Sequence, residues 1–208
     1  MTLPISATLA SHSRPVILLE GTRKLPAENR PELVRLAEIL CDELPHAVFR
    51  SGNAEGADEV FANAVAGVDP SRLELVVPTA GMGRGRRPAG SRCVSLETLS
   101  PAELEHVVVA TRQAGRDAGR LADYYLNHGP QTRSAAVSKA AFLLRDSLKV
   151  IGAPTLGLRP ATIGFFFVNP VAPAGGGTGH TIRVCELNGV RAIVQSEWLS
   201  WLHSDAKA

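Results

Sequence analysis

Short apolar runs alternate with stretches of helical periodicity along this chain. Pro15-Val16-Ile17-Leu18-Leu19-Glu20, closed by Gly21, is continuous rather than alternating, as in a strand buried on both faces of a parallel sheet. Pro31 opens a predicted helix with Leu33, Leu36, Ala37, Leu40 and Leu44 on one face, and Pro45 stops it. Ala47–Phe49 is a second predicted strand ended by Ser51-Gly52. A further stripe (Ala57, Val60, Phe61, Ala64, Val65) follows, then a third strand at Leu73–Val77. Strand–helix alternation of this kind predicts βαβ units.

The middle breaks the pattern. Thr79–Leu96 holds four glycines, four arginines (Arg84, Arg86, Arg87, Arg92) and no acid, and reads as a long basic loop. Ser100-Pro101-Ala102-Glu103 has capping-box spacing and starts a helix predicted to reach about Asn127, with a break near Gly115. A second helix is predicted from Ser134 to Val150. The strand pattern resumes at Ala161–Val168, and a Pro/Gly-rich stretch (Asn169–Gly177) leads to a helix from about Thr178, terminated by Asn188-Gly189. Val190–Val194 is the fifth predicted strand, Glu197–His203 a closing helix, and 204–208 a frayed tail. The predicted fold is therefore α/β: a Rossmann-like open parallel sheet flanked by helices, with a helical insertion after the third strand, in a single domain spanning 1–208. About 79–155 form the basic loop and insertion.

Composition narrows the function. The 208 residues include 22 Lys+Arg against 20 Asp+Glu, a formal charge of +2. This balance argues against a nucleic-acid partner, whose footprint is normally a basic excess. The three cysteines (Cys41, Cys93, Cys185) are too scattered for a disulfide framework or zinc site, and no His pair has metal-ligand spacing, so neither metal nor cofactor is expected. No apolar stretch approaches the roughly 20 residues of a membrane span, and Met1–Ser13 lacks signal-peptide features. The expectation is a soluble, cytoplasmic protein with no membrane partner.

Ligands of open parallel sheets bind outside the carboxyl ends of the strands. Three segments fall there: Gly21-Thr22-Arg23; Ser51-Gly52-Asn53-Ala54-Glu55-Gly56-Ala57-Asp58; and Gly175-Gly176-Gly177-Thr178-Gly179-His180-Thr181. The last opens a helix, where glycines admit a ligand to the backbone and free N–H groups bind an anion. It is neither a Walker A loop nor a dinucleotide fingerprint. Tyr124 and Tyr125 divide between core and a ligand-facing or partner-facing role, while Trp198 and Trp201 suit the core.

These three motifs together resemble the SLOG superfamily, the Rossmann-like group that includes DNA-processing protein A (Smf), the Lonely-guy phosphoribohydrolases and uncharacterised nucleotide-binding proteins. The resemblance covers Val16–Val77 and Ala161–Gln195. It implies a pocket for a nucleotide or nucleotide derivative, with phosphate on Gly176, Gly177, Thr178, Gly179, His180 and Thr181. Gly21, Thr22, Arg23, Ser51, Gly52, Asn53, Gly56 and Asp58 would complete it. It also suggests a homodimer, with the inserted helices as interface. The Lonely-guy motif carries a catalytic glutamate where this chain has Arg183, with Glu186 about one helical turn further on. Three functions follow: a nucleotide-binding or sensing protein, a nucleotide N-glycosidic hydrolase using Asp58 or Glu55 as its carboxylate, and a single-stranded DNA-binding module.

Overall fold

A computed structural model describes residues 3–204. Six strands form one sheet: β1 (Val16–Gly21), β2 (Val48–Ser51), β3 (Leu73–Val77), β4 (Arg92–Ser95), β5 (Ile163–Phe167) and β6 (Arg191–Val194). They lie in the order β4-β3-β2-β1-β5-β6, and every pairing is parallel. This is the expected Rossmann-like open sheet. β1 and β5 share the longest register, from Ile17 opposite Ile163 to Gly21 opposite Phe167.

Eight α-helices flank the sheet among the described residues: α1 (Ser6–Ala10), α2 (Arg30–Glu43), α3 (Ala57–Val68), α4 (Pro101–Gln113), α5 (Arg116–His128), α6 (Ala135–Ile151), α7 (Gly176–Leu187) and α8 (Gln195–Ser204). The capping box closes at the start of α4: Glu103 N–H donates to Ser100 Oγ and Ser100 N–H to Glu103 Oε2. The predicted break near Gly115 separates α4 from α5. Residue 204 ends α8, and the rest of the expected frayed tail, 205–208, lies outside the described residues.

Three differences from the sequence reading matter. The stretch read as a continuous basic loop contains β4, which pairs with β3 from Glu74–Arg92 to Val77–Ser95. An edge strand needs apolar character toward few neighbours and tolerates charge, so four residues with one arginine escape a pattern-based reading. The helical segment therefore follows a fourth strand, and α4–α6 pack on one face of the sheet. The amino-terminal stretch contains the five-residue α1, which inserts Leu9 beside Leu3 and Ile5 into the core. Finally, α7 begins at Gly176, two residues before the predicted start.

Strand alternation sorts the two faces. Ile17, Leu19, Phe49, Leu73, Leu75 and Phe165 meet α2, α3 and α8 in an apolar layer that includes Trp198. The Trp198 indole N–H donates to Phe166 O at 3.1 Å. Leu18, Glu20, Arg50, Glu74 and Val76 occupy the intervening positions toward α4–α7. No helix among the described residues is long and apolar enough to cross a membrane.

Candidate functional site

A cavity of about 950 Å³ opens at the carboxyl ends of β1 and β5, between α5, α6 and the start of α7. Of the residues predicted from sequence, Gly21, Thr22, Arg23, Asp58, Gly176, Gly177, Thr178 and His180 line it. Gly52, Asn53 and Glu55 line a smaller adjoining pocket of about 140 Å³, which shares Arg23, Ala54, Phe142 and Arg145 with the first.

Asp58 holds the two strand ends together. Its Oδ1 accepts from Gly21 N–H (3.0 Å), and its Oδ2 from Gly52 N–H (3.2 Å) and Ala54 N–H (3.4 Å). From the second residue of α3, this carboxylate thus ties the ends of β1 and β2 into one surface. Gly56 makes the same junction possible. Its φ is +86°, and a Cβ there would lie 2.5 Å from the Thr22 carbonyl oxygen. Asn53 also has positive φ, 54°, and its amide donates to Gly83 O at 3.0 Å. Glu55 is exposed and pairs with Arg86 at 3.0 Å. Ser51 is buried outside the lining of both cavities.

At the start of α7, Gly175 occupies the N-cap position with no side-chain cap. Gly176 and Gly177 are exposed at the cavity wall, leaving first-turn N–H groups and the positive end of the helix dipole toward it. Gly177 is required by a neighbour: a Cβ would sit 2.8 Å from Asp146 Oδ2. Gly179 lies under Ala174, with no room for a side chain. The Thr181 hydroxyl donates back to Gly177 O at 3.1 Å, so only Thr178 of the two threonines faces the cavity. His180 is fully buried, and its Nε2 meets Ser147 Oγ at 3.1 Å. Burial holds its pKa below the usual range against the pull of Asp146, leaving a neutral ring. Arg183 donates from Nε to Ala114 O and from Nη1 to Ala174 O, while Glu186 is exposed.

Sequence reasoning missed the floor. Glu20 on β1 and Arg145, Asp146 and Lys149 on α6 are all buried and line the cavity. Lys149 bonds Glu20 and lies 2.8 Å from Asp146; Arg145 Nε lies 3.4 Å from Asp146. Burial raises the Glu20 carboxyl to about 7; Lys149 opposes this, and Asp58 and Asp146 add to it. Burial also pushes Asp146 upward, but Arg145 and Lys149 outweigh it and hold that carboxyl below its ordinary value. Three polar atoms of these floor residues have no hydrogen-bond partner: Glu20 Oε1, Arg145 Nε and Arg145 Nη1. The available signal was Glu20 as the charge closing an apolar run, with Arg145 and Lys149 one turn apart beside the Leu144–Leu148 stripe. In isolation that pair reads as a solvated helix flank. Tyr125 is core, and Tyr124 stacks on His128 outside the cavity lining. No group of three or more metal-ligating side chains occurs among the described residues.

No protein-family model matches the chain, and no curated protein matches it by sequence. Its fold is similar to that of DNA processing protein A from Helicobacter pylori, whose structure was described for a unique single-stranded DNA binding mode. The TM-score is 0.51 over 90% of this chain and 67% of that one, at 13% identity. The shared property at this identity is the fold. That finding overturns the argument from net charge against a nucleic-acid partner: a fold of this type serves single-stranded DNA in DNA processing protein A. Whole-chain charge averages over surfaces, and here it conceals the arginines of 84–87 beside the smaller pocket.

Proposed function

We propose that the protein is a SLOG-type, nucleotide-binding protein that holds a nucleotide or nucleotide derivative in the large cavity, with a phosphate at the Gly176–Thr178 turn. The observation that carries this reading is the start of α7. It is uncapped, glycine-lined and faces a cavity of about 950 Å³, a volume that suits a nucleotide-sized ligand. Arg23 and Lys139 at the wall supply further positive charge. Asp146 shares the helix start, yet it is neutralised from its other side by Arg145 and Lys149, which leaves the exposed N–H groups for a ligand.

Gly177→Val tests this directly. The new side chain crowds Asp146 and covers the first turn, so calorimetric affinity for AMP falls at least about tenfold, measured on protein whose circular dichroism shows the native fold. Unchanged AMP affinity removes the turn from the site.

A second reading, a single-stranded DNA-binding module, is favoured by the fold shared with DNA processing protein A and by the exposed Arg84 and Arg86 beside the smaller pocket. It predicts fluorescence-anisotropy binding of an oligothymidylate with a steep salt dependence. AMP binding without oligonucleotide binding leaves the first reading alone.

A further inference from the structure

Arg145 is a buried cation with unused donors. From Leu144 to Val150 every residue of α6 is buried, four of them polar or charged: Arg145, Asp146, Ser147 and Lys149. The Arg145 side chain is 5% exposed, its Nε only faces Asp146 at 3.4 Å, and neither Nε nor Nη1 has a hydrogen-bond partner. Native proteins rarely leave a buried guanidinium N–H unpaired.

The guanidinium is held in position from two sides. A Cβ on Gly52 would lie 1.6 Å from Nη1 and 2.8 Å from Cζ, so the absence of a side chain at 52 creates the place it occupies. The Phe142 ring lies 5.6 Å from Arg145 Cζ, and Arg23 Cζ lies 5.3 Å from the same ring. The group borders both cavities. In the smaller one three guanidinium-bearing residues converge, Arg23, Arg86 and Arg145. The one acid in that lining, Glu55, is paired with Arg86. Asp58, next to it, has its oxygens engaged by backbone N–H groups. Unused cationic donors without a free acid describe an acceptor of oxyanions.

We propose that the pocket of about 140 Å³ at Arg145 is a second phosphate subsite, separate from the α7 turn, and that the ligand is a mononucleotide carrying two separate phosphate groups. The assignment of the other phosphate rests on the function proposed above; the Arg145 subsite stands on its own residues. Arg145 supplies the buried donors, Arg23 the wall shared with the main cavity, and Gly52 the space.

Titration of AMP and adenosine 3′,5′-bisphosphate against the wild type and Arg145→Gln tests it. In the wild type the bisphosphate binds at least about tenfold more tightly than AMP; in the variant, whatever happens to AMP itself, the ratio of the two affinities falls to about one. A wild type that shows no gain, or a gain that survives Arg145→Gln, overturns the proposal. Wild-type crystals soaked in selenate, a tetrahedral oxyanion visible by anomalous scattering, give a second measurement that needs no variant. A peak at the Arg145 guanidinium supports the subsite, and water alone there overturns it. In the same wild-type crystals a peak at Arg145 without one at the α7 turn keeps the subsite and removes the turn, and the reverse outcome removes the subsite alone, so failure at one end is separable from failure at the other.

Discussion

Two buried arginines lie on the same side of the sheet and differ in one respect. Arg50 is saturated: Nε and Nη2 donate to Glu74 at 3.0 and 2.7 Å, and Nη1 to the carbonyls of Lys149 and Arg159 at 2.7 and 2.8 Å. Arg92 closes the other Glu74 oxygen at 2.8 Å. Arg145 is also buried but has one loose acidic contact, and neither Nε nor Nη1 has a hydrogen-bond partner. Burial alone therefore does not separate structure from function in this layer; saturation does. Where every donor has an acceptor inside the protein, the charge ties β2 and β3 to the end of α6 and the segment after it. Where donors remain unused beside a cavity, the protein has left room for a ligand.

The contrast is broken most severely at the saturated end. Arg50→Met leaves Glu74 buried with only the half-exposed Arg92, and leaves two backbone carbonyls without their donor. Losing one partner of a buried pair costs about 3–5 kcal/mol. Arg145→Gln should cost under about 1 kcal/mol, because Asp146 keeps Lys149 and no full complement of bonds is lost. Urea denaturation of both variants checks the difference. Equal losses would mean that Arg145 is a structural ion like Arg50.

Asp58 sharpens the same contrast at intermediate size. Its oxygens accept three backbone N–H groups, so its role is predicted to be the junction of β1 and β2 rather than proton transfer. Asp58→Asn replaces one acceptor oxygen by a donor facing N–H groups, at a cost of about 1–3 kcal/mol. Stability is expected to fall while AMP affinity changes by less than about threefold. The opposite result, intact stability with lost binding or lost release of free base from nucleotides, would place Asp58 in the chemistry as the hydrolase reading requires.

The legible parts of the sequence were those where one segment carries its own signal. The apolar run at Val16–Leu19, the Ser100/Glu103 capping box and the glycines opening α7 each encode a local geometry, and each stands in the structure. β4 was illegible because Cys93 and Val94 offer too short an apolar pattern within a glycine-arginine stretch. The floor of the cavity was illegible for a different reason. Glu20 and Lys149 are 129 residues apart, and their pairing exists only once β1 and α6 meet. Neither residue carries a motif, and on a helix drawn in isolation Arg145 and Lys149 belong to the solvated side. The sheet edge at which ligands bind followed from topology; the ionic surface beneath it followed from packing between distant segments.

Glu20 gives the prediction whose sign is most diagnostic. Its carboxyl rises from 4.5 to about 7 on folding, first through burial, with Asp58 and Asp146 adding to the rise and Lys149 opposing it. Between these values the folded protein keeps a proton that the unfolded chain has released. The contribution is fully present below pH 4.5 and is lost as pH rises through 7, with a slope of at most about 1.4 kcal/mol per pH unit. His180 acts in the other direction: its lowered pKa makes stability rise with pH just below its ordinary 6.5. Asp146, lowered from 3.8, contributes at more acidic pH. The difference between wild type and Glu20→Gln isolates the carboxyl. Unfolding free energies from pH 5 to 8 should fall more steeply in the wild type, so that the variant gains relative stability as pH rises. A difference that stays flat across this range would show Glu20 ionised throughout and locked to Lys149. The cavity floor would then be as closed as the Arg50 cluster, and Oε1 would cease to mark the polar surface offered to a ligand.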